Sequence, residues 1–135
     1  GNAPARANCF RCVKIPGTES PFMNEVDTLE ALDAAIAESS DHPVLLFKHS
    51  TRCGVSARAN SRMNDYLESK GAAPLDVRMV KVVEAKPVSN AVAEILGVEH
   101  QSPQIILLKD GKPVWNTSHP HIRAENIDDA LKKLA

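Results

Sequence analysis

Residues 44–56 read VLLFKHSTRCGVS and join an apolar run to the first cysteine that follows residue 12. Residues 44–47 are four apolar side chains in a row, which is typical of a short central strand covered on both faces. A polar segment follows at residues 48–52, and Cys53 then begins a stretch whose apolar residues recur at helical spacing. The stretch therefore predicts a strand, a polar connection and a helix with one thiol at its N-terminal end.

Helix and strand patterns alternate on both sides of this stretch. Before it, apolar residues at helical spacing predict a helix over residues 28–39, with Asp27 and Glu30 as a capping pair. After it, the predicted elements are a helix that buries Val55, Ala59, Met63, Tyr66 and Leu67, a strand over residues 77–83, a helix opened by Pro87 and Ser89 that carries Val92, Ile95 and Leu96, a strand over residues 105–108, a strand over residues 113–116 and a helix over residues 124–134.

The order of these elements predicts an α/β fold. Gly97 stands where a left-handed helix C-cap is expected, and Asp110-Gly111 is the signature of a tight hairpin. Strands separated by helices are expected to be parallel neighbours joined by right-handed crossovers, and the hairpin adds one antiparallel edge strand. The prediction is a four-stranded mixed sheet with helices on both faces.

The chain has room for one domain, since it has 135 residues and a typical domain has about 150. Residues 1–22 lack apolar periodicity and are predicted to be a flexible leader or a short first strand near residues 20–23, which places the domain at residues 23–135. A net charge of −1 gives no basic surplus for nucleic acid, and no apolar run approaches the roughly 20 residues that span a bilayer. Three cysteines are too few for a disulfide framework, which favours a reducing, cytoplasmic location.

Cys53 is the candidate reactive group. The first-turn amides of a helix have no partners within the helix, and together with the dipole they favour negative charge, so a thiol there ionises more readily than a free one. Lys48 and Arg52 add positive charge nearby, although Arg52 also fits a solvated surface residue. The alternative is an inert buried cysteine. The polar residues directly before Cys53 argue for exposure and favour the reactive interpretation.

Ser56 stands three residues after Cys53, where a dithiol reductase needs a second cysteine. With serine there, a mixed disulfide on Cys53 must be resolved by an outside thiol. Ser56 either donates a hydrogen bond to the thiolate or is a helix residue with no role.

Ser102-Pro103 precedes the predicted strand at residues 105–108. Proline is the residue that adopts a cis peptide bond at low cost, and such a bond presents a rigid backbone edge. A trans proline at the start of a strand is the ordinary alternative.

Taken together, these features resemble the thioredoxin superfamily over residues 27–135. The resemblance implies a thioredoxin-like fold in which Pro103 is cis and faces Cys53, and in which the backbone of Ser102 pairs with substrate. Two departures argue against general dithiol reduction. Residues 52–56 read RCGVS where thioredoxins have Trp-Cys-Gly-Pro-Cys, and Phe47 stands where they have a buried acid.

A narrower resemblance is to the monothiol bacilliredoxin family. The segments that carry it are FKHSTRC at 47–53, PVSN at 87–90, HQSPQ at 100–104 and LKDG at 108–111. The resemblance implies that Cys53 takes bacillithiol, a cysteine-containing small thiol of some bacteria, from mixed disulfides on proteins. It implies bacillithiol as co-substrate, no bound cofactor or metal, modified proteins as partners and a monomer. The implied catalytic residues are Cys53, Ser56 and Pro103, and the implied substrate-binding residues are Ser102, Arg52, Thr51 and Lys48.

Two other functions stay open at this point. Residues 53–56, CGVS, are similar to the Cys-Gly-Phe-Ser of monothiol glutaredoxins, which use glutathione and can bridge an iron–sulfur cluster, but the paired glycines of that family are absent after the hairpin. A redox-inactive interaction domain is the non-enzymatic alternative.

Cys9 and Cys12 form a second cysteine motif, with C-x-x-C spacing, in the leader. They are two incidental cysteines, a thiol that resolves the Cys53 adduct, or half of a zinc site. A zinc site would need further ligands, for which His119 and His121 are the clustered candidates.

Overall fold

The computed structural model describes residues 23–70 and 75–134, which form one five-stranded sheet with helices on both faces. The strands are β1 (Met23–Glu25), β2 (Val44–His49), β3 (Asp76–Lys81), β4 (Gln104–Lys109) and β5 (Lys112–Ser118). The helices are α1 (Leu29–Glu38), α2 (Gly54–Lys70), α3 (Lys86–Leu96) and α4 (Ala124–Lys132), and a 3₁₀ turn (His119–His121) precedes α4. Among the described residues, no helix is long and apolar enough to cross a bilayer.

The sheet order is β1-β3-β2-β4-β5, so the prediction of four strands is wrong by one. The additional strand is β1, which pairs in parallel with β3 at the edge of the sheet. Three residues are too short to show the two-residue alternation that reveals a strand in a sequence. The alternative of a first strand near residues 20–23 overlaps β1 at Met23, and the rest of the leader lies outside the described residues.

The direction of β4 also differs from the prediction. β2 and β3 are parallel as expected, but β4 is antiparallel to β2 rather than a parallel neighbour. Residues 97–103 connect α3 to β4 and reach the sheet beside the end of β2, where Gln104 pairs with Lys48. A strand that begins at the point where its neighbour ends runs antiparallel to it.

Two apolar clusters cover the two faces of the sheet. On one face, Leu45 and Phe47 of β2 lie in a cluster with buried side chains of α2 and α4. On the other face, Val44 and Leu46 lie in a cluster with buried side chains of α1 and α3. Every residue of β2 is buried, as expected for a central strand whose faces are both covered. This strand therefore holds the residues that follow it in a fixed position.

The helix ends and the hairpin follow from local sequence, with one correction. The N-cap of α1 is Thr28 rather than Asp27, because Thr28 Oγ1 accepts a hydrogen bond from the Ala31 amide at 3.0 Å. Gly97 caps α3 in the left-handed region at φ 68°, as predicted. Asp110 and Gly111 both have positive φ and join β4 to β5, also as predicted.

Two residues predicted on apolar helix faces are exposed. Val55 of α2 is 42% exposed and Ile95 of α3 is 55% exposed, whereas the other residues predicted for those faces are buried. In the first turn of α2 the buried side chain is Ser56 rather than Val55. The apolar pattern identifies most of each buried face, but it also includes a residue that is exposed.

Replacing Gly97 with alanine should lower the free energy of unfolding by about 1 kcal/mol, because a side chain at positive φ is strained. A Cβ at this position meets no atom within 4 Å, so the backbone conformation alone carries the cost. Denaturant unfolding measures it. Gly54→Ala is the matched control, since Gly54 is helical and equally open. Equal stability of the Gly97→Ala variant and the unaltered protein would contradict the prediction.

Candidate active site

The candidate site lies at the sheet edge where β2 ends and β4 begins. Lys48 pairs with Gln104, so the loop after β2 and the Ser102-Pro103 segment before β4 meet at this edge. The turn after β3 joins them, because the Val82 amide donates to the His49 carbonyl at 3.0 Å. The antiparallel pairing of β4 thus brings together residues that are 50 positions apart in the sequence.

Cys53 occupies the N-cap position of α2. Its carbonyl accepts the Ala57 amide at 2.9 Å, the first bond of the helix, and its own amide donates to the Ser50 carbonyl at 3.3 Å. The side chain is partly exposed and the thiol is free. An N-cap side chain lies over the unpaired amides of the first turn, which are the groups that stabilise an anion. The predicted position of Cys53 at a helix N-terminus is confirmed.

Ser56 is fully buried in the first turn of α2, three residues after Cys53. Its hydroxyl oxygen accepts the Ser50 amide at 2.9 Å and lies 2.7 Å from Nδ1 of His49. Ser56 thus ties the start of the helix to the end of β2. Its side chain is more constrained than either sequence interpretation expects.

His49 is a part of this site that sequence reasoning did not assign. It lies at the end of β2, is buried, and has its ring 5.5 Å from the ring of Phe47. Burial lowers the pKa of His49, and Lys81 lowers it further, against smaller opposing effects of Glu84 and Ser56. The surroundings of the ring thus favour its neutral form.

Thr51 and Arg52 form the exposed rim beside Cys53. The Thr51 hydroxyl donates to a Glu84 carboxylate oxygen at 2.8 Å, which lowers the pKa of Glu84. Arg52 is also close enough to contribute to that shift. The rim is consequently charged, polar and accessible, as a contact surface for a protein partner requires.

The Ser102–Pro103 peptide bond is cis, and Pro103 is buried. The Pro103 carbonyl accepts the His119 amide at 3.0 Å, which anchors this segment to the 3₁₀ turn. The Ser102 hydroxyl is buried, and no hydrogen-bond partner for it is found in the described part of the chain. The resemblance implied that Pro103 is cis. The Ser102-Pro103 segment lies at the end of the sheet where β2 ends, from which the chain continues to Cys53.

Gln104 holds the loop in front of this segment. Its side-chain amide donates to the Glu99 carbonyl at 3.0 Å, and its side-chain oxygen accepts the Gln101 amide at 3.3 Å. Gln104 is buried and faces the same side of the sheet as Lys48, with which it is paired. The sequence offered no signal for this role, because a glutamine in a strand has no pattern of its own.

Lys48 differs from the other predicted substrate-binding residues, because it is 0% exposed. Its ammonium nitrogen has no hydrogen-bond partner among residues 23–70 and 75–134. Burial lowers the pKa of Lys48 to about 8, and burial and the nearby Lys48 charge lower the pKa of His100. Contact between Lys48 and a substrate stays a prediction, and it requires a movement that uncovers the amine.

The candidate zinc ligands are only partly within the described residues. Cys9 and Cys12 lie outside the described residues, so neither the zinc nor the resolving role can be placed. His119 and His121 lie in the 3₁₀ turn.

Another group of potential metal ligands, Glu38, His42 and Asp76, lies where β2 and β3 begin, at the opposite edge of the sheet. The Arg78 guanidinium donates to both carboxylates of this group, and His42 bonds to Asp76 at 2.7 Å. Burial alone would raise the pKa of Asp76, but these bonds from Arg78 and His42 hold it below its usual value. The positive charge that these carboxylates face is the Arg78 guanidinium.

Comparison with known proteins identifies relatives of this arrangement. The family model described as monothiol bacilliredoxin BrxC matches residues 24–127. A solved structure described as having a thioredoxin fold and a proposed oxidoreductase role is 25% identical, with a TM-score of 0.73 over 82% of this chain and 94% of the other. Thioredoxin from Trypanosoma brucei brucei is 12% identical, with a TM-score of 0.67 over 90% of this chain and 97% of the other. Thioredoxin NaTrxh from Nicotiana alata is 18% identical, with a TM-score of 0.65 over 88% and 97%.

Proposed function

Because the chain belongs to the monothiol bacilliredoxin family, we propose that it removes bacillithiol from mixed disulfides on protein cysteines, with Cys53 as the nucleophile. The family and the oxidoreductase with the similar fold support a thiol redox function. We propose in addition that bacillithiol is the small thiol and that proteins modified by it are the partners. We also propose that the chain acts as a cytoplasmic monomer without a bound cofactor.

The reaction is a pair of thiol–disulfide exchanges. The Cys53 thiolate attacks the bacillithiol sulfur of the mixed disulfide, which breaks that bond and releases the client cysteine as a thiolate. Cys53 is left in a disulfide with bacillithiol. A second thiol from outside then attacks this adduct, takes bacillithiol and regenerates the Cys53 thiolate. No electrons are gained or lost overall, since each step exchanges one disulfide for another.

The observation that carries the proposal is the position of Cys53. This partly exposed cysteine is the N-cap of α2, and the residue three positions later, Ser56, is a buried serine rather than a second cysteine. The N-cap supplies unpaired amides that stabilise the attacking and the leaving thiolate. Ser56 cannot form a disulfide, so the adduct on Cys53 persists until an outside thiol reaches it. Partial exposure lets a client disulfide approach.

The proposal predicts that a protein carrying a bacillithiol mixed disulfide reacts at least about tenfold faster than the same protein carrying glutathione, which corresponds to about 1.4 kcal/mol of selective contact. Release of the client thiol and the mass of the Cys53 adduct measure the two reactions. The Cys53→Ser variant is the control and should accept neither group. A preference for the glutathione adduct would favour the glutaredoxin alternative, and reaction with neither would favour an interaction domain.

Recycling can be tested separately through the other two cysteines. The variant with Cys9→Ser and Cys12→Ser should clear the Cys53 adduct at the unaltered rate when an outside thiol is supplied. A slower rate would show that one of these cysteines resolves the adduct.

A further inference from the structure

Three arginines lie in α2 and at the start of α4, and the exchange chemistry does not use them. Arg58 and Arg62 stand four residues apart in α2, so their side chains are neighbours on one face of the helix. Arg123 is the N-cap of α4, just after the 3₁₀ turn. Arg58 and Arg123 are exposed, and Arg62 is partly exposed.

Backbone carbonyls hold two of these guanidinium groups where α2 meets the 3₁₀ turn. Arg62 donates to the Ile122 carbonyl at 2.8 Å and to the His119 carbonyl at 3.3 Å. Arg123 donates to the Pro120 carbonyl at 2.8 Å. A carbonyl fixes the position of a guanidinium group but does not neutralise its charge. Both groups are therefore held in place as cations.

This junction is close to the candidate site. The His119 amide donates to the Pro103 carbonyl at 3.0 Å, so the 3₁₀ turn contacts the cis-proline segment. Arg58 stands five residues after Cys53, about 8 Å along the helix axis. Val55, which lies between them in the sequence, is 42% exposed. A protein that brings a mixed disulfide to Cys53 is therefore expected to cover Val55 and to meet the arginines.

The positive charge of the three arginines is not neutralised by carboxylates of the described residues. Within 23–70 and 75–134, none of the three forms an ion pair, and Asp65 and Glu125, the nearest acidic residues in the sequence, are not paired with them. Residues 50–64 and 111–124 contain no Asp or Glu, although the chain has 17 acidic residues against 16 Lys and Arg.

Arg52 is a different case, because Glu84 lies close enough to interact with it. It is therefore not counted with the other three. We call the surface formed by Val55, Arg58, Arg62 and Arg123 the arginine surface.

We propose that the arginine surface binds acidic side chains that flank the modified cysteine of a client protein. The inference rests on the proposed function, since it concerns the proteins that bring mixed disulfides to Cys53. Charge complementarity supports it, because a guanidinium group binds a carboxylate through two parallel hydrogen bonds and arginine is enriched at protein interfaces. The groups lie on two elements of an open surface, which suits a protein partner, whereas a small molecule is usually bound in a concave pocket.

The first test compares two short peptides, each with one cysteine in a mixed disulfide with 2-mercaptoethanol. The residues beside the cysteine are glutamates in one peptide and lysines in the other. Each rate of transfer to Cys53 is divided by the rate of the same peptide with dithiothreitol, which removes intrinsic differences in reactivity. Because 2-mercaptoethanol is uncharged, any preference reports on the peptide and not on the small thiol.

At about 0.1 M salt the glutamate peptide should react at least about tenfold faster than the lysine peptide. The preference should fall to about twofold or less at about 1 M salt, where the Debye length is about 3 Å instead of about 10 Å. Equal rates at both salt concentrations would overturn the inference. A preference seen only when bacillithiol replaces 2-mercaptoethanol would also overturn it, because the small thiol would then be the ligand of the arginines.

The second test changes the charge at Arg58, which is exposed. Arg58→Glu should lower the preference for the glutamate peptide at least about fivefold, and Arg58→Lys should keep most of it. Lys112→Glu is the matched control, since it makes the same change in net charge at an exposed residue that pairs with the last residue of β4, far from Cys53. Equal losses in Arg58→Glu and Lys112→Glu would show that net charge, and not this surface, sets the preference.

The reaction of Cys53 with bis(2-hydroxyethyl) disulfide, which is uncharged, provides a further readout. Its rate should be the same in Arg58→Glu and in the unaltered protein, because Arg58 contacts the client and not the reacting sulfur atoms. An equal fall in this rate and in the rate with the glutamate peptide would mean that Arg58 acts on Cys53 itself, which would overturn the inference.

A third test measures binding without chemistry. In the Cys53→Ser variant, the glutamate peptide with a free cysteine should shift the NMR amide resonances of residues 55–62 and 119–123, and Arg58→Glu should abolish these shifts. Shifts confined to other residues would overturn the inference. Binding at these residues without transfer from any peptide to the unaltered protein would contradict the proposed function and leave the arginine surface standing. Equal transfer from both peptides would do the reverse.

Discussion

A Ser56→Cys variant should release bacillithiol from the Cys53 adduct without any added thiol. Ser56 stands three residues after Cys53, in the first turn of the helix that Cys53 precedes, so we expect a cysteine at residue 56 to come within reach of the Cys53 sulfur. A thiolate at residue 56 would attack the Cys53 sulfur, form an intramolecular disulfide and expel bacillithiol as its thiolate. Because this attack is intramolecular and well oriented, release should be at least about 100-fold faster than with millimolar outside thiol.

The measurement is a single turnover with the isolated adduct in the absence of reductant. Free bacillithiol should appear with first-order kinetics that do not depend on protein concentration, and the unaltered protein should release none. Val55→Cys is the matched control, because residue 55 is exposed and side chains two apart on a helix do not face each other. Absence of the intramolecular disulfide in Ser56→Cys would contradict the placement of this side chain beside Cys53.

The Ser56→Cys substitution should also lower the stability of the folded protein. Sulfur is a weaker acceptor than a hydroxyl oxygen, so the bonds that Ser56 makes to the Ser50 amide and to His49 are weakened. We expect the free energy of unfolding to fall by about 1 kcal/mol. The fold can therefore accommodate two cysteines at positions 53 and 56. The serine at position 56 instead makes hydrogen bonds that hold the start of α2 to the end of β2.

The local features of the fold were accessible from the sequence. Gly97 and the Asp110-Gly111 pair were placed correctly because backbone geometry at a C-cap or tight turn restricts which residues can occur there. Cys53 was placed at the start of a helix because the apolar strand before it and the apolar spacing after it bracket the position. Each of these predictions depends on a few consecutive residues.

What the sequence did not show depends on pairing across the sheet. The antiparallel direction of β4 depends on the end of the sheet at which residues 97–103 place the start of the strand, and no local sequence pattern shows this. The bond between His49 and Ser56 joins the end of β2 to the first turn of α2. Nothing in the sequence shows that a histidine at the end of a strand is buried. Lys48 was expected near the substrate, and its complete burial follows from packing on both sides of β2.

The buried charge of Lys48 should lower the stability of the folded protein near neutral pH. Burial lowers the pKa of Lys48 from 10.5 to about 8, so the folded protein binds this proton less tightly than the unfolded chain does. Below pH 8 the amine is charged in both states and folding carries the full cost of burying the charge. Between pH 8 and pH 10.5 the unfolded state binds more protons, so the free energy of unfolding rises with pH.

Lys48→Met should therefore raise the free energy of unfolding at pH 7 by about 3 kcal/mol, since one pKa unit corresponds to about 1.4 kcal/mol. Methionine has a similar length, and replacing a buried charge with an apolar side chain of similar volume is often stabilising. Denaturant unfolding of both proteins from pH 7 to pH 11 measures the difference, which should shrink above pH 8. Lys112→Met, at an exposed position of β5, is the control.

A second readout follows from the neighbouring histidine. The charge of Lys48 helps to lower the pKa of His100, so Lys48→Met should raise the pKa of His100 in an NMR titration. If Lys48 also contacts substrate, as the sequence predicts, the variant should lose activity while it gains stability. Loss of stability at pH 7 with no change at His100 would mean that the ammonium group has a partner in the folded protein, and that its burial is compensated rather than costly.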